Sequence, residues 1–259
     1  MKLLKTNNRI ASHNLLGQPF IPLNTSMREN VLMTQIQCYL NNTYCFLSTG
    51  EVIANGSDEW GQWIALNNNI FHPQGGGQPA DIGWVNNIPV KVRKQATGQV
   101  VVYPESALHA PPGAQLNSKL SEEARICHAA LHTAGHLLNW EMRQYGWMAI
   151  KGHHFPGESR VEFSPMGSSA IPSDQLSLQN IETTINTRLR DGGQVTTWYE
   201  ADTRLCLIEG TEPMPCAGTH VDNLNKINEF TIKSVKFKKE TLRISYDASH
   251  IILRTDNVS

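Results

Sequence analysis

The sequence lacks several features that would place it at once in a common class of protein. Charge of one sign is not in excess, because 22 basic and 23 acidic residues leave a formal net charge of −1 over 259 residues. A nucleic-acid partner would therefore need a local basic patch, since the field of the whole protein does not attract it. Cysteine is scarce and odd in number, with five residues and no Cys-x-x-Cys pair, which argues against a disulfide scaffold and favours a reducing compartment.

Long apolar segments are missing as well. No run of about 18 apolar residues occurs, so the sequence predicts no membrane-spanning helix and no membrane partner. The first five residues are followed by a polar segment, residues 6–9, in place of the apolar core of a signal peptide. We therefore expect a cytoplasmic protein, and the composition leaves its oligomeric state open.

Two histidines lie four residues apart inside a segment with the apolar spacing of a helix. We predict that this helix is capped by Ser121 and ends near residue 144. The spacing places His132 and His136 on one helix face, about 5–6 Å apart at Cβ. On this pattern alone, two core histidines that merely satisfy backbone carbonyls remain an open alternative to a metal site.

A second pair of donors occurs in the segment Cys216-Ala217-Gly218-Thr219-His220, where Gly-Thr predicts a tight turn. One thiolate and three imidazoles form a donor set that suits Zn²⁺ in a roughly tetrahedral arrangement. We predict one zinc ion per chain, with four ligands: His132, His136, Cys216 and His220.

These two motifs, preceded by Gly75-Gly76-Gly77-Gln78-Pro79-Ala80-Asp81, resemble the editing domain of alanyl-tRNA synthetase. More specifically, the chain is similar to the free-standing alanyl-tRNA editing proteins, from about residue 31 to residue 246. The resemblance implies a trans-editing hydrolase that deacylates alanine tRNA mischarged with serine, or with glycine as a second cargo. No adenylating domain fits in the length, so a synthetase is not expected.

The predicted fold class is α+β. Short apolar runs separated by turn signals, beginning at Cys38–Leu40, predict a small antiparallel β-barrel, and the resemblance implies a barrel like those of translation factors. An α+β editing domain that contains the zinc follows, with a second helix capped by Ser177 and closed by Gly192. The expected domains are an extension at residues 1–30, the barrel at 31–110 with the Gly-Gly-Gly-Gln loop, and the editing domain at 115–259, after the Pro-Gly break at 110–113.

The glycine-rich loop permits backbone conformations with positive φ and close approach of another surface. A plain hairpin turn is the alternative, but the resemblance places the loop against the substrate pocket. The resemblance also makes His153 and His154 candidates for the pocket wall, although ordinary surface histidines explain them equally, and it gives His72 and His128 no role. The predicted substrate-binding residues are Gly76, Gly77, Gln78, Thr133, Thr219, His153 and His154.

A basic strand near the end of the chain is the densest basic patch available for tRNA phosphates. A hairpin over residues 231–246 is predicted, with Val235 and Phe237 inward. Lys236, Lys238 and Lys239 are therefore the predicted tRNA-binding residues, and a solvated strand face is the alternative.

The catalytic group is not assigned by the sequence. We expect chemistry centred on the zinc, with His132 and Gln78 as candidate catalytic residues. One rival function is a zinc-dependent hydrolase of a small ester or amide, but the His-Glu-x-x-His motif is absent because Thr133 takes the place of its glutamate. The other rival is a tRNA-binding module whose zinc is purely structural.

Overall fold

The computed structural model describes residues 34–254, which belong to one compact unit, Met33–Ser259. The predicted extension at residues 1–30 lies outside the described residues. Between residues 34 and 254, no helix is long and apolar enough to cross a membrane. The strands are β1 (Ile36–Gln37), β2 (Leu47–Asp58), β3 (Gly61–Leu66), β4 (Asn68–Asn69), β5 (Gly83–Val85), β6 (Ile88–Lys94), β7 (Val100–Pro104), β8 (Gln115–Leu120), β9 (Trp147–His153), β10 (Arg160–Pro165), β11 (Val195–Glu200), β12 (Thr203–Ile208), β13 (Met214–Pro215), β14 (Ile227–Lys238) and β15 (Thr241–His250). The α-helices are α1 (Glu122–Gln144) and α2 (Leu178–Asp191), and the 3-10 helices are Cys38–Leu40, Ser173–Gln175, Leu224–Lys226 and Ile251–Arg254.

The first part of the described chain forms a closed six-stranded barrel in the order β2-β3-β7-β6-β5-β8. All of its neighbouring strands are antiparallel, as predicted. Strand β8 shows why the sequence folds this way, because exposed and buried residues alternate along it and place Leu116 and Leu120 in the barrel interior. The mixed α and β content with a small barrel is therefore confirmed.

The run Cys38–Leu40 is a 3-10 helix, and the expectation of a strand there is wrong. The backbone N–H groups of Asn41 and Asn42 both donate to the carbonyl of Cys38, at 3.1 and 3.0 Å, and close a turn that a strand could not make. The turn still buries one aromatic side chain, Tyr39, against the barrel core.

Helix α1 begins where the sequence predicts. The Ser121 hydroxyl accepts a hydrogen bond from the N–H of Ala124 at 3.3 Å, and Glu122 and Glu123 lie in the positive first turn. The helix packs on a four-stranded sheet with the order β14-β15-β10-β9, and α2 packs against β14. Helix α2 begins at its Ser177 cap and ends at Gly192, also as predicted.

A buried ion pair ties the start of α1 to the barrel segments. The guanidinium of Arg125 donates to both carboxylate oxygens of Asp81, and both side chains are essentially inaccessible to solvent. Two further guanidinium N–H groups donate to the backbone carbonyls of Thr43 at 2.9 Å and Ile70 at 2.7 Å. Each charge is thus matched by an opposite charge or a dipole, which is what a buried pair requires.

The C-terminal hairpin, β14 with β15, matches the prediction in its faces but not in its burial. Val235 and Phe237 lie opposite the buried Ile244 and Leu242, so they face the core side, and the three lysines are exposed. Phe237 is nevertheless 54% exposed, because β14 is the edge strand of its sheet, and its ring forms a T-shaped pair with Trp147.

Candidate metal site and its cavity

Four donor side chains converge beside α1. The nitrogen and sulfur donor atoms of His132, His136, Cys216 and His220 all lie within 4.8 Å of one another. The Sγ of Cys216 lies 3.4 Å from Nε2 of His132 and 3.2 Å from Nε2 of His220. A tetrahedral ion with ordinary metal–sulfur and metal–nitrogen bonds would separate such atoms by roughly 3.5 Å, so the donor set fits a metal ion.

Two of the imidazoles are oriented by hydrogen bonds at Nδ1, the ring nitrogen that faces away from the cluster. Nδ1 of His132 lies 2.8 Å from Oε1 of Gln78, and Nδ1 of His220 lies 3.1 Å from Oγ1 of Thr133. An amide oxygen can only accept, so His132 carries its proton on Nδ1 and leaves the Nε2 lone pair directed at the cluster. Supporting bonds of this kind fix the tautomer and ring orientation of metal ligands.

Gln78 joins the barrel loop to the turn that carries Cys216. Its Oε1 also accepts from the backbone N–H of Thr219 at 2.9 Å, and its Nε2 donates to Oγ1 of Thr219 at 2.9 Å. The loop itself is a tight two-residue turn, in which Gly75 and Gln78 exchange both backbone hydrogen bonds around Gly76 and Gly77, both at positive φ. The hairpin and the pocket interpretations of this segment therefore describe one structure.

The turn of Cys216 is held by a glycine and an arginine. A Cβ on Gly218 would lie 2.0 Å from Cε1 of His132, so no other residue leaves room for that ring. Arg204, on β12, donates through Nη1 to the carbonyls of Cys216 at 2.8 Å and Gly218 at 3.0 Å. Its Nε donates to the carbonyl of Leu40 at 2.9 Å, which anchors the turn to the rest of the unit.

The electrostatics of the site keep its histidines neutral. Burial lowers the pKa of His136 to about 4, with a further contribution from the positive charge of Arg204. Burial and the neighbouring imidazoles also hold the pKa values of His132 and His220 well below the ordinary value. Burial raises the pKa of the Cys216 thiol, while the N–H of Gly218 and Arg204 act in the opposite direction. Neutral imidazoles are the form that binds a metal ion, and the ion itself would deprotonate the thiol.

A cavity of about 290 Å³ opens beside the cluster. Its walls are small or apolar over much of their area, with Gly76, Gly135, Gly152, Ala149 and Val161 among them. The polar side chains that line it belong to the metal cluster, to Asn139 and to His154. Such a cavity has room for a small group next to the cluster.

The predicted substrate residues separate into three groups. Gly76 and His154 line the cavity. Gly77 packs its backbone against Gly152 and His154 behind the cavity wall. His153 lies apart from the cavity, where it stacks on Phe155 and approaches Glu158 at 3.5 Å.

The remaining three predicted substrate residues support the ligands. Gln78, Thr133 and Thr219 are completely buried and hydrogen-bonded to ligand rings or to the ligand turn, and contact of these residues with substrate stays a prediction. As candidate catalytic residues, Gln78 is sealed from the cavity, and His132 has Nδ1 bonded to Gln78 and Nε2 directed at the cluster. A catalytic role for either residue stays a prediction.

Sequence reasoning missed two residues that build the site, Arg204 and Tyr246. The sequence did contain a signal for Arg204. It lies with Cys206 and Ile208 on the buried face of β12, and a charged side chain on a buried strand face needs specific partners. Tyr246 donates to the carbonyl of Leu131 on α1 at 2.8 Å. It gave no signal, because a tyrosine in a strand pattern is ordinary.

Comparison with known proteins adds family evidence to this geometry. No family model matches the chain. Alanyl-tRNA editing protein AlaX-M of Pyrococcus horikoshii is 29% identical over 179 residues, which cover 67% of this chain and 79% of that protein. Alanyl-tRNA editing protein Aarsd1 of Mus musculus is 24% identical over 218 residues, covering 74% of this chain and 50% of that protein. An alanine–tRNA ligase of Methanocella arvoryzae is 26% identical over 188 residues, covering 63% of this chain and 21% of the ligase.

The chain thus spans most of the Pyrococcus horikoshii protein, but only half of the Mus musculus protein and about a fifth of the ligase. Proteins of different length share the similarity, and two of them are named alanyl-tRNA editing proteins. The resemblance that the three motifs indicate is therefore confirmed.

Proposed function

We propose, from the kinship of this chain with the free-standing alanyl-tRNA editing proteins, that it hydrolyses the ester of mischarged alanine tRNA in trans. The proposed cargo is serine, with glycine as the second. In the reaction, water attacks the ester carbonyl, the bond to the ribose oxygen breaks, and the amino acid and the free tRNA leave. The cytoplasm is the proposed compartment because the proposed substrate is a charged tRNA.

One observation carries the proposal. The His-x-x-x-His, Cys-x-x-x-His and Gly-Gly-Gly-Gln motifs, separated by up to 141 residues, meet at a single metal-binding cluster beside a small cavity. The cavity has room for a small aminoacyl group beside the cluster.

Zinc is the proposed metal ion, because imidazoles and a thiolate are among its preferred donors and the four donor atoms lie within 4.8 Å of one another. When bound, zinc would supply a positive charge beside the ester carbonyl and would fix the cavity wall. The chain's own contribution is to hold the ligands: Gln78 orients His132, Thr133 orients His220, and Arg204 clamps the Cys216 turn.

Two further features stay within the proposal. The division into a translation-factor-like barrel domain at residues 31–110 and a zinc-containing editing domain at 115–259 is an expectation from the resemblance. The tRNA contacts are assigned to Lys236, Lys238 and Lys239, which are exposed on the tip of the hairpin. Their replacement by alanine would flatten the salt dependence of tRNA binding by roughly one unit per lost phosphate contact, and an unchanged slope would leave them as solvated surface.

The experiment is a deacylation panel with the purified protein and alanine tRNA charged with serine, glycine or alanine. Seryl-tRNA should be deacylated much faster than alanyl-tRNA, and the Cys216→Ser variant should lose the activity. The matched control is Cys38→Ser, which removes a thiol outside the cluster. Equal rates on seryl- and alanyl-tRNA, together with hydrolysis of small chromogenic esters, would favour the rival function, a zinc-dependent hydrolase of small esters or amides.

A tRNA-binding module with structural zinc is the second candidate, and one observation favours it. Four protein donors are present, and a zinc ion bound to all of them would have no open position, as in structural zinc sites. Binding of the charged tRNA without any turnover in the same panel would establish this candidate.

A further inference from the structure

His154 occupies an unusual place at the wall of the cavity. Its ring stacks on the ligand His132, with ring centroids 4.6 Å apart and planes 21° from parallel, yet it does not belong to the four-donor cluster. Two glycines make room for it: a Cβ on Gly135 would lie 2.4 Å from its Cε1, and a Cβ on Gly152 would lie 2.5 Å from its Nε2. The backbone is therefore adapted to this one side chain.

A hydrogen-bond chain fixes the tautomer of His154. Its Nδ1 lies 2.6 Å from the hydroxyl of Tyr246, and that hydroxyl lies 2.8 Å from the carbonyl of Leu131. The tyrosine has one proton and the carbonyl can only accept, so the tyrosine donates to Leu131 and accepts from Nδ1–H of His154. The reverse assignment would leave two oxygen acceptors 2.8 Å apart without a proton between them.

The fixed tautomer leaves a lone pair on Nε2 of His154. Within residues 34–254 no hydrogen bond engages this atom, and it is not among the sealed side-chain atoms that lack a partner. Because His154 lines the cavity, its Nε2 offers a hydrogen-bond acceptor to whatever enters.

The other cavity groups are already committed or are donors of the metal cluster. Oδ1 of Asn139 accepts from the N–H of Ala149 at 2.9 Å, and His132 uses Nδ1 on Gln78. No carboxylate lines the cavity in the described chain, so the charged α-ammonium group of an aminoacyl ester would find no counter-ion there and would stay toward solvent. A neutral hydroxyl on the side chain of the ester is the donor that a lone acceptor suits.

We propose that Nε2 of His154 accepts a hydrogen bond from the side-chain hydroxyl of the aminoacyl group, and that Tyr246 is the positioning residue that keeps this nitrogen unprotonated in the correct tautomer. The inference rests on the proposed deacylase function and selects serine over glycine as its cargo. A hydroxyl acceptor gains nothing from glycine or alanine, which lack the donor.

Two isosteric variants test the acceptor. Glutamine at position 154 places its amide near the position of Nε2, whereas asparagine places its amide near Nδ1 and leaves the cavity end without an acceptor. The readout is the ratio of kcat/KM for seryl-tRNA to that for alanyl-tRNA, which differ by the hydroxyl alone. We expect His154→Asn to lower this ratio about 10- to 100-fold, the effect of one lost hydrogen bond to a buried group, and His154→Gln to retain more of it.

Tyr246→Phe tests the positioning role. The ratio should fall, and ¹⁵N NMR of the histidine side chains should show that the Nδ1–H signal of His154 gives way to a mixture of tautomers, which a merely structural role would not cause. Metal content measured on every variant shows that the cluster is intact.

The outcomes separate the two proposals. If the wild-type protein deacylates no charged tRNA, both the function and this inference are overturned. If the wild-type protein prefers serine and His154→Asn prefers it equally, the inference alone fails. A fall of equal size on seryl- and alanyl-tRNA would likewise overturn it, since the hydroxyl would then not be what His154 contacts.

Discussion

Two buried polar clusters lie along the same helix, seven residues apart, and they differ in whether the protein completes them. At the start of α1, Arg125 and Asp81 have opposite charges, and backbone carbonyls accept from two further guanidinium N–H groups. Two turns later, His132 and its neighbours bring together groups that repel each other when protonated. The first cluster is satisfied by the chain itself, whereas the second is a set of donor atoms able to hold a cation.

The difference teaches how to tell a buried scaffold from a site. Both clusters contain buried side chains, so burial alone does not separate them. The balance of hydrogen-bond donors and acceptors separates them, because buried polar groups in folded proteins nearly always have a compensating partner. In the His/Cys cluster, Nδ1 of His136 is buried without a hydrogen-bond partner in the described chain, while Arg125 and Asp81 lack none.

The largest effect is expected at the self-compensated cluster. Arg125→Met would leave Asp81 buried and unpaired and should lower the free energy of unfolding by about 3–5 kcal/mol. Chemical denaturation measures this change, and Arg243→Met is the matched control, since it breaks the exposed pair with Glu162 and should cost below about 1 kcal/mol. Similar losses of unfolding free energy from the two variants would show that the Arg125–Asp81 pair does not behave as a buried, self-compensated pair.

The ligand cluster should respond in metal affinity. Cys216→Ser replaces a thiolate by a neutral hydroxyl, so affinity should fall by more than about 100-fold, beyond the effect of losing a supporting group. Elemental analysis of the purified protein should give about one zinc per chain for the wild type and for Cys38→Ser. Wild-type protein that carries no metal after careful purification would overturn the metal site.

A smaller effect is expected at the residue behind the ligands. Gln78→Ala removes the acceptor of His132 and both bonds to Thr219, and it should weaken metal binding by about 10- to 100-fold. The sequence alone predicts unchanged zinc content, because an amide is no ligand of this set, so competition with a chelator decides between the two expectations. Gln74→Ala, an exposed residue of the same loop, should leave affinity unchanged.

The smallest effect per group is a pH dependence of the metal-free protein. Burial lowers the pKa of His136 to about 4 and that of His154 to about 3, whereas the unfolded chain titrates near the ordinary value of about 6.5. The unfolded state therefore binds more protons below that pH, so stability is fully present above it and is lost as the pH falls toward 4. The loss should approach about 1.4 kcal/mol per pH unit for each such histidine.

Urea midpoints of the metal-free protein at pH 7, 6 and 5 measure the slope, and metal-loaded protein should resist acid further because its ligands cannot take up protons until the ion leaves. A urea midpoint that does not change between pH 7 and pH 5 would mean that these rings take up protons in the folded state as readily as in the unfolded chain. That result would contradict the lowered pKa values.

Local features of the fold were predictable from the sequence. The caps at Ser121 and Ser177 fixed both helix starts, because a capping hydroxyl acts within three residues of chain. The pairing of His132 and His136 with Cys216 and His220 was predictable from donor chemistry and spacing. Polar residue types near the motifs were also found, but not which side of the ligands they occupy.

The remainder depends on contacts that no local pattern encodes. Gln78 reaches Thr219 across 141 residues, and whether it touches substrate or ligand is decided by packing between distant segments. Tyr246 acts through its alignment with His154 and Leu131, which the strand pattern does not specify. The predicted burial of Phe237 was wrong for a similar reason. Alternation along a strand tells which residues share a face, but not whether a neighbouring element covers the edge of the sheet.

The separation of the ligands along the chain has a consequence for how the protein is made. His132 and Cys216 are 84 residues apart, and at about 5–20 residues per second a ribosome needs roughly 4–17 s to add the second donor pair after the first. During that interval the new chain holds two imidazoles, a set that binds zinc weakly. A metal ion held by all four donors could therefore be captured firmly only after synthesis has passed residue 220, when most of the barrel and α1 have already been synthesised.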